Sequence, residues 1–175
     1  MSSHIQIPIL YRLFFLYVEP VSALVGSYYA AAFPWTYLAL LFPGGITSYT
    51  RQSPDTPTLI SLYQLSNLYL LFALNEHLVL SSAQSLKTWR RLLFCLLVTD
   101  FGHLATMFPL ALEHAGEGRL VDGLLRVYAH FWEWNAMEWG SVGFVYCGAL
   151  MRISFLLGVG LGASGKEGEE HGKVE

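Results

Sequence analysis

Four acidic residues stand where acids are expensive. Glu19, Glu76, Asp100 and Glu138 fall in or at the edge of runs that are otherwise almost wholly apolar, and Arg12 and Arg152 are the only basic residues in those runs. An acid at the centre of a membrane-spanning helix costs about 2.5–3.5 kcal/mol on insertion scales, so it normally faces a bundle interior or a water-filled chamber. One such carboxyl can be structural. Several, distributed over every apolar run with only two arginines and two histidines to match them, predict a polar chamber. A chamber of that kind suits acid–base chemistry on a lipophilic substrate, because an apolar site keeps one carboxyl neutral as an acid while a neighbouring arginine keeps another ionised as a base.

Spacing says which of these groups can meet. Asp100 and His103 are three apart and share a helix face, so the carboxylate could orient the imidazole or accept its proton. Asn75, Glu76 and His77 are consecutive and point about 100° apart, so they cannot all face one chamber. Tyr69 and Glu76 are seven apart and give one wall bearing a phenol and a carboxyl. At a rise of about 1.5 Å per residue, Glu19, Asp100 and Arg152 come within reach of one another, with Glu76 close behind. Asn135, Glu138 and Trp139 cluster at the start of the last run, where a carboxylate favours the helix N-terminus and could guard an entrance.

Each group also has a plainer reading. Glu19 precedes Pro20 and could bond groups freed by a proline kink. Asp100 could simply neutralise Arg152, His103 could be a packing residue, and His77 lies close to the membrane surface. The tryptophans suit interface anchors, and Gly140, Gly143 and Gly148 suit close helix contact. No HxxxH, HExxH or CxxC spacing occurs, so no metal is expected. No glycine-rich phosphate motif and no GxSxG occurs either, so neither a cofactor nor a serine nucleophile is expected.

The elements that position these groups follow from composition. Of 175 residues, 54% are hydrophobic and 13% charged, with 5 Trp, 10 Tyr and 11 Phe; mean hydropathy is +0.43. An ordinary globular domain carries roughly 25% charged residues, so an integral membrane protein is expected and a soluble enzyme is not. A net charge of -3 without a basic cluster argues against nucleic acid as a partner. Four runs reach the roughly 20 residues needed to cross a bilayer: about 9–33, 59–80, 92–112 and 137–161. The first is too long for a secretory signal and lacks a positive n-region, so a retained span is expected.

Residues 34–58 carry PWTY, FPGG and SPDTP and read as an irregular loop. SSAQSLKTWRR is a short connection that makes the second and third spans antiparallel neighbours, and about His114 to Trp134 could form a short interfacial amphipathic helix. The single transmembrane domain is placed at 1–162, with a disordered polar tail over 163–175. Cys95 and Cys147 read as small buried hydrophobes. Lys87, Arg90, Arg91, Lys166 and Lys173 on one side outnumber Arg51, Arg119 and Arg126 on the other, which places both termini in the cytosol. The expected fold is all-α, a four-helix transmembrane bundle with a polar intramembrane cavity. A homodimer would suit so small a bundle, and the endoplasmic reticulum is the default membrane.

The strings YRLFFLYVEPVSALVGSYYA, NLYLLFALNEHLVL, LLVTDFGHL and WNAMEWGSVGFVYCGALMRISFLLGVG carry EP, NE, DFGH, WN and R-x-x-F elements over about residues 8–161. They resemble a family of small fungal integral membrane proteins that includes epoxide hydrolases of polyene α-pyrone polyketide pathways of the aurovertin and citreoviridin type. The resemblance implies a cofactor-independent epoxide hydrolase or cyclase of secondary metabolism, held in the membrane because its substrate is a long apolar polyene. Carried onto this sequence, Glu19 or Glu76 would protonate the epoxide oxygen. Asp100, oriented by His103 or Arg152, would deprotonate a water or internal hydroxyl held by Asn75 or Asn135. The architecture is also similar to membrane-bound terpene cyclases and sterol isomerases, in which Tyr69, Phe101 and Phe144 would stabilise cations. The remaining alternative is a lipid-binding or assembly protein whose polar chamber is structural.

Overall fold

A computed structural model describes residues 7–42 and 54–161. It contains helices α1 (Ile9–Ala32), α2 (Pro34–Leu41), α3 (Thr56–Leu80), α4 (Leu86–Ala115), α5 (Leu120–Tyr128) and α6 (Ala136–Leu156), and no strand among the described residues. Helices α1, α3, α4 and α6 are long and apolar enough to cross a bilayer. Their outward faces are apolar too: Ile9, Val21, Leu68, Phe94 and Leu150 are each more than half exposed. Water would penalise that surface and lipid would not, so the fold is the four-helix bundle of an integral membrane protein.

Prolines and caps set the boundaries. Pro34 opens α2 directly after Phe33, whose φ of -130° and ψ of 54° end α1. Pro57 lies in the first turn of α3, where its missing N–H leaves no bond unmade. In α4 the helix breaks at Met107, just before Pro109, and resumes as Phe108–Ala115. The spans therefore differ from expectation at their ends. Helix α4 starts at Leu86, so Lys87, Arg90 and Arg91 sit in its first turns and not in a loop. Helix α6 stops at Leu156, and the chain turns through Gly158 and Gly160 at φ of 82° and 72°.

Part of the expected irregular segment 34–58 is helix α2; residues 43–53 of it lie outside the described residues, as does the tail expected to be disordered. A short helix between the last two spans, within the expected stretch 114–134, is present as α5. It folds back on the end of α4 so closely that a Cβ at Gly123 would collide with the Ala111 carbonyl oxygen. Cys95 and Cys147 are exposed, not buried. Both lie on the outer face of a span, where a weakly polar thiol meets lipid at little cost.

The bundle is two tight pairs, α1 with α3 and α4 with α6. An apolar cluster of Tyr11, Phe15, Leu80, Trp89, Leu93 and Phe155 closes the end where α1 begins and α6 finishes. Met107, Ala111, Val127 and Val142 close the opposite end beneath α5.

Three spans contain a π-helical turn: Phe14–Val18, Asn75–Leu80 and Trp139–Gly143. Such turns insert a residue and re-aim the side chains that follow, and they recur at functional sites. The first immediately precedes Glu19 and the second contains Glu76. Pro20 has no N–H for the Leu16 carbonyl, its partner in a regular α-helix. His77 Nδ1 lies 2.8 Å from that oxygen and must donate to it, because a carbonyl only accepts. His77 thus takes the role that the plainer reading gave to Glu19, and it ties α3 to α1. His77→Phe should keep the ring's packing on Tyr17 yet lower stability by roughly 1–3 kcal/mol. Unfolding in mixed detergent and SDS micelles would measure it, and an unchanged midpoint would remove this link from the account.

Candidate functional site

Just inside the first apolar cluster, one polar side chain from each span converges on a point. Arg152 of α6 is wholly buried. Its Nη1 donates to Asp100 Oδ2 of α4 at 2.8 Å, and its Nη2 donates to Glu19 Oε1 of α1 at 2.7 Å and to Glu76 Oε1 of α3 at 2.9 Å. The three carboxyls are nearly as enclosed, at 5%, 0% and 6% exposure for Glu19, Glu76 and Asp100. Phe15 and Phe72 rings lie 5.6 and 5.7 Å from the guanidinium carbon, within cation–π range. The polar interior expected from the stray acids is therefore present, but Arg152 fills it. Neither of the two principal pockets among the described residues reaches it.

Gly148 makes the convergence possible. A Cβ there would lie 2.7 Å from Arg152 Nη1 and 3.0 Å from Glu19 Oε1. Because the guanidinium is held by three acids it cannot swing aside without losing bonds. Gly148→Ala should therefore destabilise by about 1–3 kcal/mol, read from the same micelle unfolding assay; a neutral result would mean the cluster is looser than its geometry.

Three acids around one base leave bonds unmade. Glu19 Oε2, Glu76 Oε2 and Arg152 Nε are buried without a hydrogen-bond partner. One guanidinium neutralises one carboxylate, and an apolar interior does not tolerate two further uncompensated charges. The cluster therefore sets three acids against one cation, with an oxygen of each glutamate left unpartnered.

The other expected site residues divide into three groups. His103, one turn from Asp100, hydrogen-bonds the Ser141 backbone, and its Nε2 is buried without a partner. Asp100 is thus oriented by Arg152, the second of the two expected options. Tyr69 lies about 10 Å from Glu76 along α3. Its hydroxyl is 3.4 Å from that of Tyr37 on α2, and burial together with Tyr69 pushes the Tyr37 phenol far above its ordinary range. Asn75 opens the π turn and is half-buried. Phe101 is more than half exposed on the outer face, and Phe144 stacks on Phe14.

Asn135 and Glu138 belong elsewhere. They precede Arg152 on α6 by 17 and 14 residues, about 25 and 21 Å, which removes them from the carboxylate cluster. They form a capping box: Asn135 Oδ1 accepts from the Met137 and Glu138 N–H groups, and Glu138 Oε2 accepts from Asn135 N–H. Asn135 Nδ2 also donates to the Leu40 carbonyl at 2.8 Å, joining α6 to α2. Arg126 of α5 binds Glu138 at 3.2 Å and Glu133 at 3.0 Å. This second polar group lines a 210 Å³ pocket at the far end of the bundle. The N-x-x-E spacing is the sequence signature of the capping box, whereas nothing in the sequence pairs Arg126 with Glu138.

No group of His, Cys, Asp and Glu among the described residues is arranged to hold a metal ion. A family described as a domain of unknown function (DUF7704) matches residues 4–162, and the chain belongs to it. No curated protein and no solved structure matches.

Proposed function

We propose that this DUF7704 member is a membrane-embedded acid–base enzyme that opens an epoxide in a lipophilic polyketide-like substrate. One observation carries the reading: three buried carboxyls share a single arginine, and two of them keep an unpaired oxygen. A neutral carboxyl in an apolar site is a general acid, and a carboxylate fixed on an arginine is a general base. Glu19 or Glu76 gives its proton to the epoxide oxygen as the C–O bond breaks. Water attacks the carbon and loses a proton to Asp100, held by Arg152 Nη1. Passage of that proton back to the glutamate restores the enzyme, and the sum is epoxide plus water giving diol. If a hydroxyl of the substrate attacks instead, a cyclic ether forms and no water is consumed.

Access would run from the bilayer along the seam between the α1–α3 and α4–α6 pairs, which Arg152 bridges. Orientation with both termini cytosolic, in the endoplasmic reticulum, is part of the same proposal. Among the described residues, Lys87, Arg90 and Arg91 gather at the end where α1 begins, in keeping with the positive-inside rule. The enclosed packing of the cluster favours one other reading, a lipid-binding or assembly protein in which the four polar side chains only lock the helices.

The test is incubation of membranes carrying the protein, or its Asp100→Asn variant, with polyene and terpenoid epoxides in oxygen-18 water. Label in a diol made only by the intact protein supports hydrolysis, and unlabelled product supports cyclisation or isomerisation. Conversion of no substrate moves the assignment to the locked, non-enzymatic bundle.

A further inference from the structure

The largest groove among the two principal pockets lies far from the carboxylate cluster, at the outer corner where α4 begins and α6 ends. It encloses about 530 Å³ and is lined by Leu86, Lys87, Arg90, Arg91, Phe94 and Leu156. Leu86, Arg90 and Phe94 follow one another at i, i+4 and i+8 up one face of α4. The apolar members form the floor and the three cations form the rim. The chain leaving α6 passes the same rim, since a Cβ at Gly158 would lie 3.8 Å from Arg90 Nη2.

Among the described residues the cations are uncompensated. Lys87, Arg90 and Arg91 are exposed and take part in no ion pair among the described residues. At the other end of the bundle, Arg119 is paired with Asp122, and Arg126 with Glu133 and Glu138. The asymmetry extends to the acids. The exposed acids Asp55, Glu113, Glu117, Asp122 and Glu133 all lie at that other end, and the described residues at the groove end include none. The first turn of α4 adds to the field, because Ser85 makes no side-chain cap and leaves N–H groups open.

We propose that this groove is a binding site for an anionic phospholipid, the phosphate on the Lys87, Arg90 and Arg91 rim and an acyl chain along Leu86, Phe94 and Leu156. The groove begins at the first residue of a spanning helix, which sets its rim at headgroup depth and its floor within the hydrocarbon. A soluble phosphate could use the rim but would leave the floor uncovered. A zwitterionic lipid could use the floor but would leave three charges unmatched. Juxtamembrane cations attract anionic lipid by about a fivefold gain in affinity each.

The full-length protein would be purified in micelles and given phosphatidylcholine vesicles with or without phosphatidylserine, with bound lipid counted by native mass spectrometry. Retention of phosphatidylserine over phosphatidylcholine is expected, weakened about fivefold by each of Lys87→Gln, Arg90→Gln and Arg91→Gln. Leu156→Trp fills the floor without changing any charge and should also lower retention. Equal retention of the two lipids would overturn the proposal. So would full retention by Leu156→Trp, which would reduce the effect to surface charge, or displacement of the lipid by inorganic phosphate. All the variants lie outside the carboxylate cluster, so this result is independent of any epoxide chemistry.

Discussion

Arg152→Leu should cost about 3–5 kcal/mol of folding stability, the usual penalty for removing one partner from a buried ionic group. The side chain is wholly buried and is the common partner of Glu19, Glu76 and Asp100. Without it three carboxyls face one another with no cation, and one carboxyl comes from each of three other helices. The loss should therefore appear as separation of the two helix pairs, read as a lower midpoint in micelle unfolding or as faster proteolysis in membranes. The informative partner is the variant that also carries Glu19→Gln, Glu76→Gln and Asp100→Asn. It buries no charge, keeps amides of similar shape, and should recover most of the lost stability. If Arg152→Leu alone unfolds at the native midpoint, the ionic cluster is not what joins the pairs.

Of Glu19→Gln and Glu76→Gln, whichever removes the acid should lower turnover by about 10²–10⁴-fold, the usual contribution of a positioned proton donor. An amide oxygen can still accept from Arg152 Nη2, which the two glutamates share at 2.7 and 2.9 Å, so the helix contacts survive. What disappears is the acidic carboxyl proton. Unchanged turnover in both variants would leave no acid for the proposed chemistry. Loss in one alone would identify which glutamate faces the substrate. Because the charge-free quadruple variant is expected to be folded, its activity separates the two roles cleanly: stability without turnover assigns chemistry to the carboxyls, beyond holding helices together.

The number and order of spans were legible in the sequence because the bilayer demands length and apolarity, and both are local properties of a run. The convergence of Glu19, Glu76, Asp100 and Arg152 was legible for a related reason. Intramembrane charges have few neutral partners available, and depth along a helix follows from counting residues. Asn135 and Glu138 show the limit of that counting: their distance from Arg152 could be read from their spacing, but their engagement by Leu40 and Arg126 joins segments 95 and 12 residues away. His77 is similar. The Leu16 carbonyl freed by Pro20 could be anticipated, whereas the hydrogen bond it accepts from a histidine 61 residues along could not.

By itself, then, the sequence determined that the chain is a four-span helical membrane protein with costly carboxyls that must find a cation. Only the tertiary structure decided that one arginine serves all three carboxyls, that Gly148 leaves room for it, and that π-helical turns set Glu19 and Glu76 toward it. Hydropathy is a sum over neighbouring residues, whereas the aim of a side chain depends on a single inserted residue in its helix and on which helix lies opposite.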